Sequence, residues 1–578
     1  METLFSGMKG NLRTLFVAVL LLLGNISFAQ GWRWSRGMDA GKAHLTSSSG
    51  YAWPVATDAS GNVYVAMWSS FDSLVIGASS YHSNPFKSQA VLIKYDNNGN
   101  VLWTRGTSNG SSAPVDIAVD GDNNIYFLGV FSGDSIRFSN SLLTRSSASA
   151  INSCYLIKLD SDGNILWKTN SGSIDLGYEK QSYGGLAVDD QGNAWVAATF
   201  SGNSLIGTYS LNSSGGQDIS VAKYGPAGGL LWAKRFGATG YERVSGISIA
   251  KDGSAFLVGE FSSSTLVLGA TVLTYAAAYT ALSDHCFNVF VSRIGSNGSV
   301  SWARQTTGHT RAMCVTTDTA GGVYFGGNLR AGSVNLGGGN ITGNENNPYF
   351  AHYNSDGSFI RSQVFTQSVS TESPDFAIWG MTVDPCNNVW VSGGMDTLFG
   401  NGVYLDTAIV LPMPQAGIDP LFIACYSDDG TLRESVTLRS GGKSNSGLAS
   451  DPYGNIFLCG YYDGSETFWV GSDSLATAMN VFTSFFAAKY APANGCFVTG
   501  LTSVSESRPL GVYPNPADNA VNFVAVQDGS YTVSDIMGRQ LLSGHVAAGQ
   551  ATIDVSRLLP GIYVMRMDGQ EPVRFVKR

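Results

Sequence analysis

The sequence predicts an all-β chain, a seven-bladed β-propeller followed by a small C-terminal Ig-like β-sandwich. Three observations carry that expectation. An apolar run ending in Asp, then a Gly/Asn turn, then an aromatic strand recurs at intervals of 61 to 69 residues. Charged residues make up only 13% of 578 positions while glycines number 70, a composition of tight turns and strands rather than of helices or disorder. Beyond residue 510 the period is lost and shorter alternating runs take over. A repeat of this length decides the architecture, because one unit cannot bury its apolar face alone and neighbours must stack to do so.

At the N-terminus, Lys9 and Arg13 precede an apolar run over 15–23, and Ser27-Phe-Ala29 closes it with small residues on both sides. A basic start, a short apolar core and a small-residue exit make a secretory signal peptide over 1–29, cut after Ala29. Nine apolar residues are too few to span a bilayer. No later run has the length of a membrane helix, so the mature chain is expected to carry no transmembrane segment. The net charge of −9 is spread without a basic cluster, which removes nucleic acid from the partner classes.

Residues 30–496 hold the repeat. Its seven starts are Pro54-Val-Ala-Thr-Asp58, Asp116-Ile-Ala-Val-Asp120, Gly185-Leu-Ala-Val-Asp189, Gly246-Ile-Ser-Ile-Ala250, Cys314-Val-Thr-Thr-Asp318, Gly380-Met-Thr-Val-Asp384 and Gly447-Leu-Ala-Ser-Asp451. Alternation and β-branched or aromatic content fit four strands to each unit. In the second unit they cover 115–120, 125–130, 155–159 and 165–168. Asp58, Asp120, Asp189, Asp318, Asp384 and Asp451 are structural turn residues: the carboxylate bonds its own turn, and a following Gly supplies the positive φ of a short hairpin. The turn from third to fourth strand repeats that chemistry, as in Asp96-Asn-Asn-Gly-Asn100.

In a meander both of these turns lie at one end of the sheet. The long second-to-third connections, such as 68–90, 131–153 and 261–287, gather at the other end, and variable loops on a rigid scaffold are where binding resides. Radial closure is the arrangement that protects the edges of such sheets. The last unit lacks a Trp-bearing fourth strand, whereas Trp32-Arg-Trp-Ser-Arg-Gly37 stands alone at the start. The N-terminal strand is therefore expected to complete the seventh blade, with 496–501 as its rival.

Gly61-Asn-Val-Tyr-Val65, Val221-Ala-Lys-Tyr224 and Ala488-Lys-Tyr490 resemble the SBBP repeat of secreted bacterial proteins. That resemblance implies a seven-bladed propeller and no activity.

A polar linker over 497–510 leads to a module at 511–578 whose short alternating strands read as a small sandwich. Pro514-Asn515-Pro516, the segment 535–539 with Gly538, Gly561-Ile-Tyr563 and the terminal Lys577-Arg578 resemble the type A C-terminal sorting domain of the type IX secretion system. The resemblance implies Sec transport, then recognition by the outer-membrane machinery, and so a secreted or cell-surface protein. Tyr513, Phe523, Tyr531 and Tyr563 are expected in the core of this module.

Chemistry is hard to find. The seven cysteines have no CxxC spacing and read mainly as buried single thiols, although in an oxidising compartment some are open to pairing, with at least one left over. His285 sits between Asp284 and Cys286, but adjacent strand residues point to opposite faces and cannot form a triad. No catalytic or metal-binding residue is assigned. The turn from Asp160 to Asn164 is similar to the start of a calcium loop but lacks the bidentate Glu, so hairpin turn chemistry is favoured over calcium, and no other cofactor is expected. Glu260, Asp284, Glu345, Asp396 and Glu466 lie in or beside the variable segments, with the aromatics Trp68, Phe71, Tyr461, Tyr462 and Trp469. The leading expectation is a non-catalytic binding or adhesion module for an extracellular glycan or protein. The alternative is an extracellular hydrolase or lyase acting on polysaccharide or peptide from the same face.

Overall fold

The computed structural model describes residues 31–37, 48–70, 73–77, 79–82, 87–145, 152–175, 184–275, 287–330, 333–342, 347–367, 377–394, 402–405, 410–412, 421–438, 447–463, 468–471, 473–475, 481–492, 512, 515–525, 528–535, 539–567 and 570–578. The regular elements among them are all β-strands. The chain divides into two compact units, Met1–Phe497 and Val498–Arg578.

In the first unit, antiparallel four-stranded sheets follow one another along the chain. Ser111–Val119, Ile125–Ser132, Asn152–Leu159 and Ile165–Ser173 form one, each strand pairing with the next. Four further sheets are built the same way, beginning at Gly184–Val188, Glu242–Ile249, Thr310–Thr317 and Ile378–Val383. Middle strands are buried at nearly every position, and Ala194–Phe200 and Asp218–Tyr224 at all of them, because both faces pack on neighbouring sheets. That explains why they read as continuous apolar runs rather than as alternation.

The two ends of the repeat meet in one larger sheet. Ser48–Thr57, Val63–Ser69, Gln89–Tyr95 and Val101–Ser108 form its first part. Gly447–Ser450, Ile456–Asp463 and Val481–Ala491 form its second. Gly31–Gly37 lies antiparallel to Val481–Ala491, with Gly31 opposite Ala491 and Gly37 opposite Phe486. The segment 496–501 lies outside the described residues. The first strands of successive sheets touch in a cyclic order, Ser48–Thr57 contacting both Ser111–Val119 and Gly447–Ser450. The arrangement is propeller-like.

A side-chain latch repeats between neighbours. Trp103 Nε1 donates to Ser161 O (3.0 Å), Trp167 to Pro226 O (2.8 Å), Trp232 to Ser296 O (3.0 Å) and Trp302 to Ser355 O (2.9 Å). In each case a fourth-strand Trp grips the third-to-fourth turn of the next sheet. Trp34 of the N-terminal strand does the same to Asn97 O (3.1 Å), carrying the latch from the last sheet to the first. The indole lies so close to the turn that a Cβ at Gly99 or Gly228 would come within 2.7 or 2.8 Å of it, and both glycines also have positive φ. Arg361 replaces Trp in one sheet and donates to Ser427 O instead (2.9 Å).

The second-to-third connections carry a shared device. Ser135–Phe138 pairs with Ser141–Thr144, Thr265–Leu268 with Thr271–Thr274, and five other connections hold equivalent two-stranded hairpins. Several of these hairpins reach a fourth strand. Arg137 and Phe138 pair with Ser108 and Thr107 of the preceding sheet, and Lys168 Nζ donates to Ser141 Oγ (2.6 Å). An exposed edge strand would offer unpaired backbone groups, and these contacts cover part of it.

In the second unit, Ala520–Ala525 pairs with Gly549–Asp554. Gln540–Val546, Gly529–Asp535, Gly561–Met567 and Gln570–Lys577 form a four-stranded sheet in that order. Both sheets share one core that includes Val521, Phe523, Val533, Met565 and Phe575.

Candidate functional site

In six of the seven units the Asp that opens the first turn is the centre of a buried polar group. Asp189 Oδ1 accepts the backbone N–H of Gln191 (3.1 Å) and of Asn193 (2.9 Å), and the Asn193 amide also donates to it (2.9 Å). Trp195 Nε1 (3.4 Å) and the Lys223 ammonium (3.0 Å) approach Oδ2. The side chains of Lys223 and Asp189 are 6% and 4% exposed, and the ammonium lies 4.6 Å from the Trp195 ring centroid. Burial opposes ionisation of Asp189, but the Asn193 hydrogen bonds and Lys223 outweigh it and hold the carboxyl below the usual range.

The other copies are variations. Asp120 has Asn124, Tyr126 and Lys158, the last at 3.0 Å. Asp58 has Asn62 and Tyr64, with Lys94 at 3.9 Å; burial lowers the pKa of Lys94 despite that carboxylate, and raises that of Tyr64. At Asp318 the cation position is taken by His352, whose Nε2 lies 2.7 Å from Oδ2 and whose ring stacks on Tyr324 at 3.7 Å. At Asp384, Asn388 and Trp390 are kept and Cys425 stands where the lysine would be. Asp451 keeps Asn455, while Lys489 turns to Asn97. Asp252, two residues beyond the first-strand end at Ala250, bonds Arg293 and Ser254. These residues hold the scaffold together.

The first strands line a cavity of about 290 Å³, with Asp116, Ser245, Cys314 and Trp379 among its walls. Asp116 is committed to structure: its oxygens accept the N–H groups of Ile117 (2.8 Å) and Leu186 (2.9 Å). Glu260 is committed as well. Its Oε1 accepts the Ala312 N–H (3.2 Å), where the next first strand bulges, and lies 3.5 Å from Arg311 Nε. Thr199 Oγ1 does the same job for Val244 N (2.9 Å) one sheet earlier.

The other carboxylates of the hydrolase reading, Asp284, Glu345, Asp396 and Glu466, lie outside the described residues, as do Phe71, His285 and Cys286. Among the aromatics, Tyr462 is buried and stacks on Phe468 at 5.0 Å, whereas Trp469 is exposed on its hairpin. Exposed apolar side chains recur on these hairpins, including Leu142, Tyr209, Val267 and Val272. Cys154, Cys425 and Cys459 are buried free thiols and Cys314 is a half-buried one. Cys386 is disulfide-bonded. The oxygens of Asp160 accept the N–H groups of Asp162 (3.0 Å) and Asn164 (2.8 Å) and the Asn164 amide (2.9 Å). Among the described residues no cluster of three or more His, Cys, Asp or Glu is placed to hold a metal, and no helix is long and apolar enough to cross a membrane.

In the C-terminal unit the two ends of the sorting motif come together. The Asn515 amide donates to Arg574 O (3.2 Å) and its carbonyl accepts the Val576 N–H (2.9 Å). Pro516 follows a cis peptide bond, and Ala517 pairs in parallel with Lys577, its N–H reaching Val576 O (2.7 Å). Arg578 N donates back to Ala517 O (2.9 Å). Lys577 is buried while Arg578 is exposed. Gly561 opens the strand that carries Tyr563, a core residue 5.7 Å from Phe575 whose hydroxyl donates to Leu559 O (2.6 Å). Phe523 is in the core and Tyr531 packs against it. Tyr513, Pro514 and Gly538 lie outside the described residues.

The structure thus defines an all-β repeat followed by a compact β-module with a clamped pair of ends. Residues 511–577 match the model of the secretion system C-terminal sorting domain, and the protein is exported by the type IX route to the cell surface or the medium. The regulatory protein FlaEY of Caulobacter vibrioides is 25% identical over 211 residues, which cover 35% of this chain and only 21% of that relative. Among solved structures, the β-propeller domain of the Trilobed protease from Pyrococcus furiosus is 8% identical, with 81% of this chain and 96% of that one covered and a TM-score of 0.31. PorZ, a surface component of the type IX secretion system of Porphyromonas gingivalis, is 11% identical, with 90% and 91% covered and a TM-score of 0.18.

Proposed function

We propose that residues 30–496 close as a seven-bladed β-propeller of the SBBP type and act outside the cell as a non-catalytic binding module for a glycan or protein. In this reading residues 1–29 are a Sec signal cut after Ala29, 497–510 are a linker, and 511–578 form an Ig-like sandwich that the type IX machinery reads. Closure is supported by the cyclic contacts of the first strands and by the Trp34 latch onto the first sheet.

The observation that carries the binding role is the recurrent hairpin. It presents apolar groups to solvent in several units, Val267 and Trp469 at one position of its first strand, Leu142 and Val272 at one position of its second, and Tyr209 at the start of its second strand. Polar neighbours on one of these hairpins are already held in position, as where the Asn203 amide donates to Ser210 (2.7 Å) and Asn212 (3.0 Å). Exposed apolar groups beside fixed amides suit sugar faces and protein surfaces alike. The test is a glycan and protein array probed with the purified, exported chain. Saturable binding without turnover supports the reading, and turnover of a bound polysaccharide or peptide would replace it with the hydrolase or lyase alternative. Deleting 509–578 is expected to abolish export, and normal export of that truncation would remove the sorting role.

A further inference from the structure

The four-stranded sheet of the C-terminal unit has two very different faces. Tyr563, Met565, Met567, Val533 and Phe575 point into the core. The alternate positions of the same strands point outward, and there the expected polar residues are partly missing. Ile562 is 52% exposed and Val576 39% exposed, and the two are directly paired across Gly561–Met567 and Gln570–Lys577. Val564, half-buried, is paired with Arg574 on one side and with Ser534 on the other. Arg566 is opposite Thr532. Directly opposite side chains on one sheet face are close enough to act as one surface, so Ile562, Val564 and Val576 form an aliphatic strip bordered by Arg566 and Arg574.

The bordering charge is distinctive in a chain of net charge −9. Both arginines are exposed, and Arg578 stands just beyond the same strand. A solvent-facing sheet is ordinarily polar, and an aliphatic strip with a charged rim is the pattern of a contact surface.

We propose that this outer face is the surface by which the sorting domain docks on a protein of the export machinery, and that the partner presents an apolar strip bordered by carboxylates. The inference rests on the sorting reading of residues 511–577, which requires some surface of this unit to be recognised, and it adds which face is used. The aliphatic strip supplies contact area and the arginines supply orientation, since a cationic rim favours an acidic counterpart and repels a basic one.

The experiment uses the full chain, expressed in a bacterium that has a type IX system, with export measured as the fraction reaching the surface and medium. Two double variants are made, Ile562→Ser with Val576→Ser, and Arg566→Glu with Arg574→Glu. Thr552→Lys, at an exposed position on the other sheet, is the control. Thermal unfolding of each purified protein shows whether the fold is kept. Export of both double variants is expected to fall about tenfold or more, as for central contact residues, with melting unchanged and the control exported normally. Arg566→Lys with Arg574→Lys is expected to retain most export because the charge is kept. Should the aliphatic pair lower the melting temperature, the arginine pair decides, since both of its side chains are exposed.

Normal export of the arginine pair overturns the proposal. So does binding of the wild-type chain to phosphatidylglycerol vesicles that is lost in the same variants, which would make the occupant a lipid surface. A wild-type dimer that becomes monomeric in the variants would make it a second copy and overturn the proposal equally. If the 509–578 deletion abolishes export but both double variants are exported, only the choice of face fails. Normal export of the deletion itself would remove the sorting reading on which this inference stands.

Discussion

Asp189→Ala tests whether the repeated carboxylate is the scaffold's keystone. The change leaves Lys223, 6% exposed, without its counter-ion and removes the acceptor of the Asn193 amide and N–H. Breaking a buried pair by removing one partner costs about 3–5 kcal/mol, because the other charge stays buried. The additional unpaired donors cost about 1 kcal/mol or more each where water cannot reach them. Equilibrium urea unfolding followed by Trp fluorescence reads the sum as a lower midpoint at unchanged slope. Adding Lys223→Met should return a large part of the loss, since a thioether packs against Trp195 without needing a counter-ion. Asp384→Ala is the internal comparison. There Cys425 occupies the lysine position, so the turn bonds are lost without stranding an ammonium at that register, and the cost should be the smaller of the two. A loss below about 1 kcal/mol for Asp189→Ala, or equal losses at the two sites, would refute the reasoning.

The carboxyls of Asp96, Asp120, Asp160 and Asp189 are held below the usual range in the folded chain. Their contribution is complete above the unfolded value of about 3.9 and disappears as the pH falls through the folded values, so urea midpoints should be level in this respect at pH 5–7 and drop below pH 4. A midpoint unchanged at pH 3 contradicts this. Burial pushes the Cys154 thiol up to about 12 and the Cys459 thiol likewise to about 12, so both should resist alkylation at pH 8 until denaturant is added, as followed by peptide mass mapping. Calcium is expected to leave the melting temperature unchanged, because the turn backbone and Asn164 already occupy the Asp160 oxygens, and a saturable rise would mark a metal site.

Much of the scaffold was legible because its signals are local. The Asp and Gly turns follow from short-range backbone chemistry, and Trp34-Ser-Arg36 could be matched by eye to Trp103-Thr-Arg105. What those residues touch was not legible. Trp103 reaches 58 positions along the chain to Ser161, a distance no local pattern reveals. The lysine of Val221-Ala-Lys-Tyr224 was visible as a motif, yet its pairing with Asp189 needs the register that sets Lys223 beside Trp195. The second-to-third connections look variable in the sequence because they differ in length and composition. Their shared hairpin is marked by an apolar-x-apolar pattern, as in Ser135-Ile-Arg-Phe138 and Thr265-Leu-Val-Leu268, a weak cue over four residues. In the sequence Glu260 is a carboxylate beside a variable segment, and its attachment to a bulge in the next sheet depends on tertiary packing.

The pairing of Gly31–Gly37 with Val481–Ala491 also sets an order of events. Gly31–Gly37, the first strand among the described residues, must wait for nearly the last strand of the repeat before its backbone hydrogen bonds are made. During synthesis and transport this sheet therefore stays incomplete longer than the others, with strand edges open to wrong partners. The sorting module lies downstream of residue 491, so a chain long enough to be recognised already contains every residue that its last-formed sheet requires. Length alone then acts as a proofreading step, since fragments that end too early to finish the sheet also lack the address.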